Sequence, residues 1–125
     1  MTYGCLTTKH HGGFCIWPTD TKVASVKDTR HKIDIVRAYA DSFRKQGLQV
    51  ALYYSILDLR NDIWHQNVTR DKVRLIKEQL TELLTRYGDI SIIHRPRFIT
   101  RTSRHSSRTP GRCSPVTARF PRSLV

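Results

Sequence analysis

The 125-residue chain is poor in cysteine and has no long apolar run. Its three cysteines, at positions 5, 15 and 113, are an odd number without regular spacing, which argues against a disulfide framework. No stretch approaches the roughly 20 apolar residues of a membrane-spanning helix, and the N-terminus lacks a basic stretch followed by an apolar one. We therefore expect no membrane partner and see no export signal, and the compartment stays unknown.

Acidic residues are missing from the last quarter of the chain. All ten lie before His94, so residues 1–93 carry 14 basic and 10 acidic groups, a net charge of +4, while residues 94–125 carry eight arginines and no lysine. The same segment holds four of the five prolines and shows no helical or strand periodicity. Such a composition predicts disorder. The chain thus divides into an ordered part, 1–93, and a basic tail, 94–125.

Two interpretations of the tail compete. It could be an Arg-rich arm for RNA or DNA, with Phe98 and Phe120 available for stacking on bases. Alternatively, translation left its reading frame after Ile93, since natural nucleic-acid arms usually mix lysine with arginine. The composition favours the second interpretation. Nucleic-acid binding beyond non-specific attraction to the basic tail is therefore kept only as the alternative function.

The ordered part alternates strand and helix. Strands of the buried or aromatic type are predicted at Tyr3–Lys9, Leu48–Leu57 and Asp89–Ile93; helices are predicted at Ile33–Gln46 and from an N-cap at Thr69 to Gly88. Strand, helix, strand, helix, strand is the repeating unit of α/β folds with a parallel sheet. We therefore predict an α/β fold.

The stretch TKHHGGFCIWP places two histidines at the C-terminal end of the first predicted strand. A connection of roughly Gly12 to Lys32 follows, longer than usual, and long connections at this edge of a parallel sheet are often functional. From the residues alone, the histidine pair fits an ordinary polar turn better than a binding site. A zinc site built from the histidines and their two flanking cysteines is disfavoured by the ligand spacing. We predict no metal and no cofactor.

Three motifs in order, LTTKHHGGFCIWP, GLQVALYYSIL and KEQLTELLTRYGDISII, resemble the retaining α-L-fucosidase family of glycoside hydrolases. Members carry Lys-His-His-Asp-Gly-Phe, a strand with Tyr-Tyr-Ser, and a helix followed by a strand ending Trp-Phe-Asp-Gly. The resemblance covers residues 1–93. It implies a fragment of a (β/α)8 TIM-like barrel with about three strands and two helices, which the basic tail, disordered by its composition, would follow.

The resemblance also implies a substrate, a fucosylated glycan, and residues that contact it. His10 and His11 would hydrogen-bond sugar hydroxyls, because an imidazole offers one donor and one acceptor. Tyr54 would reach the sugar, whereas core packing is preferred for Tyr53. Trp17, with Phe14, would provide an apolar surface for the sugar's C–H face. These expectations reverse the reading of the histidine pair as an ordinary turn.

The two carboxyl groups of a retaining glycosidase, about 5 Å apart, are not apparent. Where the family has its nucleophilic aspartate, this chain has Pro96, and Gly12 stands in place of the aspartate of His-His-Asp-Gly. Asp58 and Asp62 are interpreted as solvated loop residues. No catalytic residue is therefore predicted.

By resemblance the family cleaves terminal α-L-fucose through a covalent intermediate. For this chain, we predict a fragment without useful turnover and of poor stability, because three parallel strands leave two edges and one sheet face uncovered. A fucose-binding, lectin-like protein that uses His10, His11 and Tyr54 is a further possibility.

Overall fold

A computed structural model describes residues 2–95 as one three-stranded sheet with two helices. The elements are β1 (Tyr3–Lys9), a 3-10 turn (Val26–Asp28), α1 (Ile35–Lys45), β2 (Gln49–Tyr54), α2 (Arg70–Arg86) and β3 (Ile92–His94). The strand order is β1-β2-β3 and both pairings are parallel. The predicted α/β class, strand number and helix number are confirmed. The predicted disordered tail, apart from His94 and Arg95, lies outside the described residues.

Helix ends follow local sequence signals. Thr69 caps α2 by accepting a hydrogen bond from the Lys72 amide at 3.4 Å, as predicted. α1 begins two residues later than predicted, because Asp34 is its cap and accepts from the Arg37 amide at 2.9 Å. Gly47, after α1, has a φ of 70°. Glycine adopts this left-handed conformation without strain, so the chain can leave α1 and enter β2.

Both helices pack on the same face of the sheet. Alternate residues of β2, Val50, Leu52 and Tyr54, belong to a core cluster that includes Val36 of α1 and Leu83 of α2. Side chains alternate between the faces of a strand, so their neighbours in sequence face the other way. On that second face of the sheet, Cys5 and Thr7 of β1 are exposed.

β2 and β3 differ slightly from their predicted bounds. β2 ends at Tyr54, three residues before the end of its apolar run, because the Ser55 hydroxyl donates to the Leu57 carbonyl at 2.9 Å and closes a turn. β3 starts at Ile92 rather than Asp89. Of the helices in residues 2–95, neither meets the length and apolarity that a membrane span requires. The sheet positions the carboxyl ends of β1 and β2 side by side.

Candidate functional site

The histidine pair lies directly after β1, at the carboxyl end of the sheet. His11 Nδ1 is 2.5 Å from the hydroxyl of Ser55, which follows β2. That hydroxyl donates its only hydrogen to the Leu57 carbonyl, so its oxygen accepts from His11. In the neutral ring the proton therefore sits on Nδ1, and Nε2 is the acceptor. Ser55 thus selects the tautomer of His11.

The imidazole of His10 is exposed and has two aromatic rings next to it. Its centroid is 4.3 Å from that of His11 and 6.3 Å from that of Tyr53, with which it is stacked. Tyr53 is half-buried, and its neighbour Tyr54 enters the core on the opposite face. The orientation expected for the two tyrosines is therefore wrong: Tyr53, not Tyr54, accompanies the histidine pair.

Tyr54 is an interior residue. Its ring has no exposed surface, and its hydroxyl donates to Gln79 Oε1 of α2 at 2.5 Å. Burial raises the pKa of this phenol well above its usual range. The predicted sugar contact for Tyr54 is therefore inconsistent with its position in residues 2–95.

Trp17 is also fully buried, so it offers no surface to a sugar. Its indole Nε1 donates to Glu82 Oε2 of α2 at 2.8 Å, and the other carboxylate oxygen accepts from the Asp20 amide at 2.8 Å. These bonds tie the long connection after β1 to α2. Phe14, by contrast, is exposed close to the histidine pair in sequence. Trp17 thus packs in the interior, whereas a surface facing the sugar was predicted for it.

A buried ion pair underlies the histidines, and sequence reasoning missed it. Lys9 Nζ lies 3.0 Å from Asp58 Oδ2 and 3.1 Å from Gln79 Oε1, and both charged side chains have 0% exposure. The ammonium also lies 4.6 Å from the centroid of the Tyr54 ring. The interpretation of Asp58 as a solvated loop residue is wrong. A signal was available, since Lys9 ends a strand whose neighbour β2 is almost wholly buried.

Hydrogen bonds keep Asp58 ionised. Burial opposes its negative charge, but bonds from the Asn61 backbone amide (3.0 Å) and side-chain amide (2.8 Å), with the charge of Lys9, outweigh burial and lower its pKa. Asp62, four residues on, remains exposed and pairs with Lys72, which agrees with its interpretation as a solvated loop residue. The two aspartates after β2 therefore have different environments.

The two glycines after the histidines are not equivalent. Gly13 has a φ of 75°, and a Cβ added there would lie 2.1 Å from Asp58 Oδ1. Only glycine fits between this carboxylate and the turn. A Cβ on Gly12 would meet nothing within 4 Å. The aspartate that the resemblance places at Gly12 would therefore find open space.

The described residues contain no group of three or more side chains suited to hold a metal ion. Of the two cysteines considered for zinc, Cys5 is exposed on the second sheet face and Cys15 is buried in the core. Burial raises the pKa of the Cys15 thiol to about 12, which disfavours the thiolate that a metal needs. The side chains that the described residues bring together at this site are two imidazoles, a hydroxyl and a buried ion pair.

Comparison with known proteins gives one consistent result. A sequence model of the α-L-fucosidase family matches residues 1–107, beyond the 1–93 covered by the motifs. A putative α-L-fucosidase 1 of Oryza sativa subsp. japonica is 39% identical over 88 residues, and α-L-fucosidase 1 of Arabidopsis thaliana is 35% identical over 88 residues. Each alignment covers 68% of this chain but only 17% of the relative.

Solved structures agree. An α-L-fucosidase GH29 from Bacteroides thetaiotaomicron superposes with a TM-score of 0.67 at 30% identity, covering 76% of this chain and 23% of that one. A glycoside hydrolase 29 family member from an unknown rumen bacterium gives a TM-score of 0.66 at 36% identity, with 77% and 17% covered. The chain thus matches about a fifth of a larger protein in each case.

Proposed function

The chain belongs to the α-L-fucosidase family, and we propose that residues 2–95 supply part of a sugar-binding site to a TIM-like barrel of that family. His10 and His11 are the binding groups, and a terminal α-L-fucosyl residue of a glycan is the ligand. The family membership motivates the choice of sugar, and the position of the histidines motivates the choice of residues.

The observation that carries the proposal is the bond between His11 Nδ1 and Ser55 Oγ. It leaves Nε2 as an acceptor of fixed direction, which suits a sugar hydroxyl that donates. The exposed imidazole of His10, 4.3 Å away between ring centroids, suits a neighbouring hydroxyl. Tyr53 stacks beside His10, so we assign the aromatic contribution to Tyr53. Tyr54 and Trp17 are left out because both are fully buried.

We further propose that this chain does not hydrolyse fucosides by itself. A retaining glycosidase needs a nucleophilic carboxylate and an acid/base carboxyl roughly 5 Å apart. Asp58, which lies beside Gly13 of the histidine turn, is enclosed and bonded to Lys9, and the exposed Asp62 pairs with Lys72. After β3 the sequence continues with Arg95 and Pro96 where the family's motif has its aspartate. Binding without turnover is therefore the expected behaviour.

Sugar binding is tested by titrating the ¹⁵N-labelled 125-residue chain with L-fucose and, separately, with D-galactose. We expect L-fucose to shift the resonances of His10, His11 and Ser55 more than D-galactose does. His10→Ala and His11→Ala should weaken this response. His31→Ala, which removes an exposed histidine from the connection before α1, is the matched control. Equal shifts with both sugars, or an equal loss in the control, would contradict the proposal.

Turnover is tested by following nitrophenol release from an aryl α-L-fucoside. The purified chain should release no more nitrophenol than the double variant His10→Ala/His11→Ala. If nitrophenol release rises in proportion to the concentration of the wild-type chain, and is lost in the double variant, the chain has catalytic groups and the proposal is wrong. The alternative function, nucleic-acid binding through the Arg-rich tail, rests on residues outside the described part and gains no support from the described site.

A further inference from the structure

The Lys9–Asp58 ion pair has no direct part in the proposed sugar contact, yet it lies immediately beneath it. Both side chains are completely enclosed, with Nζ and Oδ2 3.0 Å apart. Removing two charges from water is costly, and a buried pair is often no more stabilising than apolar residues of similar volume. What such a pair does provide is a defined direction, since each charge must stay on its partner. The pair therefore links the end of β1, which carries Lys9, to the loop after β2, which carries Asp58.

The turn that carries the two histidines is connected to the ion pair through Lys9. Lys9 immediately precedes His10, and its carbonyl accepts from the Ser55 amide at 2.9 Å. Ser55 in turn holds the ring of His11. The ammonium of Lys9 is held by Asp58 and Gln79 together, at 3.0 and 3.1 Å. The end of β1 is thus anchored by its own side chain.

The loop after β2 is connected to the same ion pair through Asp58. The Leu59 amide donates to the His11 carbonyl at 2.8 Å, and Asp58 Oδ1 occupies the space next to Gly13. Asn61 donates twice to Asp58, which closes the loop around the carboxylate. Asp58 therefore touches the histidine turn at its far end, while Lys9 anchors its near end.

We propose that Lys9 and Asp58 are positioning residues that set the orientation of the His11 imidazole, through Ser55 and the turn that ends at Gly13. The consequence for the sugar rests on the proposed function. The consequence for the imidazole does not, because the tautomer and the surroundings of His11 can be observed without any ligand.

The test compares Lys9→Met, Asp58→Asn and the double variant Lys9→Met/Asp58→Asn in the full 125-residue chain. The readouts are the ¹⁵N shifts of His11 Nδ1 and Nε2, the affinity for L-fucose, and the midpoint of unfolding. Each single variant should mix the His11 tautomers and bind L-fucose about tenfold more weakly, as expected for loss of one aligned hydrogen bond. The double variant contains no unpaired buried charge, so its unfolding midpoint should recover relative to the single variants.

The double variant separates positioning from stability. A pair that only stabilises the fold predicts that the His11 shifts recover together with the unfolding midpoint. A positioning pair predicts that the midpoint recovers while the His11 shifts stay altered. Wild-type His11 shifts in the folded double variant would overturn the proposal.

A milder variant decides the matter if the charged-pair variants do not fold. Asn61→Ala removes a side-chain bond to Asp58 and leaves Lys9 in place. Asn67→Ala is the control: it removes a bond to the Asp62 carboxylate in the same loop, at 3.0 Å, together with the bonds that the Asn67 side chain makes with the Asp62 carbonyl and the Trp64 amide. The His11 resonances should move in Asn61→Ala and stay in Asn67→Ala; equal effects would overturn the proposal. If the wild-type chain fails to bind L-fucose, the proposed function is wrong. The role of Lys9 and Asp58 in orienting His11 is then tested by the His11 shifts alone.

Discussion

Two aspartates in this molecule are held by cationic side chains at similar distances but in opposite surroundings. Asp58 lies 3.0 Å from Lys9 with both side chains at 0% exposure. Asp20 lies 3.0 Å from Lys27, and these side chains are 64% and 47% exposed. Distance alone therefore says little about an ion pair. Water screens the exposed pair, whereas the buried pair has given up its hydration and depends on its partners.

The causes of their pKa shifts differ in the same way. Hydrogen bonds from Arg86 and Lys27 lower the pKa of Asp20, and burial hardly opposes them. For Asp58, burial is the largest influence and acts against ionisation, so Asn61 and Lys9 must outweigh it. The buried site is the one next to the histidine turn. Changes there should alter both stability and geometry.

The largest effect is expected from breaking the buried pair. Lys9→Met leaves the carboxylate of Asp58 enclosed without its cation, and should lower the free energy of unfolding by about 3–5 kcal/mol. Urea unfolding followed by circular dichroism measures this loss. The double variant Lys9→Met/Asp58→Asn is the control and should regain part of it. A loss below about 1 kcal/mol, the range of exposed pairs, would remove the contrast with Asp20.

Acid should produce part of the same loss. The pKa of Asp58 is lower in the folded chain than in the unfolded one, so the unfolded state binds more protons in this range. The stabilisation is complete above the unfolded value of about 3.9 and disappears as the pH falls through the folded value. Urea midpoints measured from neutral pH to about pH 2 should fall less steeply for Asp58→Asn. If the midpoints of wild type and Asp58→Asn fall equally with pH, the ionised Asp58 carboxylate does not stabilise the fold.

The two glycines next to the histidines provide a smaller, built-in comparison. Gly13→Ala puts a Cβ against Asp58 Oδ1 at a φ of 75°, and should cost about 1–3 kcal/mol. Gly12→Ala, with nothing within 4 Å, should leave stability within about 0.5 kcal/mol of wild type. Thermal unfolding of the two variants side by side measures the difference. Equal midpoints would show that the turn does not close on Asp58.

Ser55→Ala should cost about 1–2 kcal/mol, since the hydroxyl's bonds with the His11 ring and with the Leu57 carbonyl are both lost. Its more specific effect is on His11, whose neutral ring should then populate both tautomers in ¹⁵N spectra. Ser42→Ala, which removes a serine bond to a carbonyl on the exposed side of α1, is the control. A single Nδ1-protonated form in Ser55→Ala would contradict the role of the hydroxyl.

The smallest effect is expected at the exposed pair. Asp20→Asn removes the carboxylate that meets Lys27 and Arg86, and the free energy of unfolding should hardly change because water replaces these contacts. Any difference from wild type should vanish in high salt, whereas the loss in Lys9→Met should persist. A large, salt-independent effect of Asp20→Asn would place the two aspartates in one class.

Local signals made much of the fold predictable. The N-cap at Thr69, the glycine after α1 and the apolar stripes of both helices depend on residues within one or two turns of each other, and the structure shows the helices there. The histidine pair was predictable as the end of a strand for the same reason. Closure of a complete barrel stays a prediction, as does disorder of the basic tail.

Which side chain faces which way was less predictable. Alternation says that Tyr53 and Tyr54 point to opposite faces, but not which face the helices cover. In the structure Tyr54 lies on the face that the helices cover, and its hydroxyl donates a hydrogen bond to Gln79 of α2. Trp17 is similar, because its partner Glu82 lies 65 residues away. An aromatic residue near a site motif can therefore belong to the core.

By itself, the sequence determined the family, the order of strands and helices, and the place of the histidine pair at the end of β1. Only the tertiary structure decided that Lys9 meets Asp58, 49 residues away, and that this carboxylate lies beside Gly13. The reason is physical. Helix and turn preferences act between near neighbours, whereas the burial and ionisation of a side chain depend on what distant segments place against it.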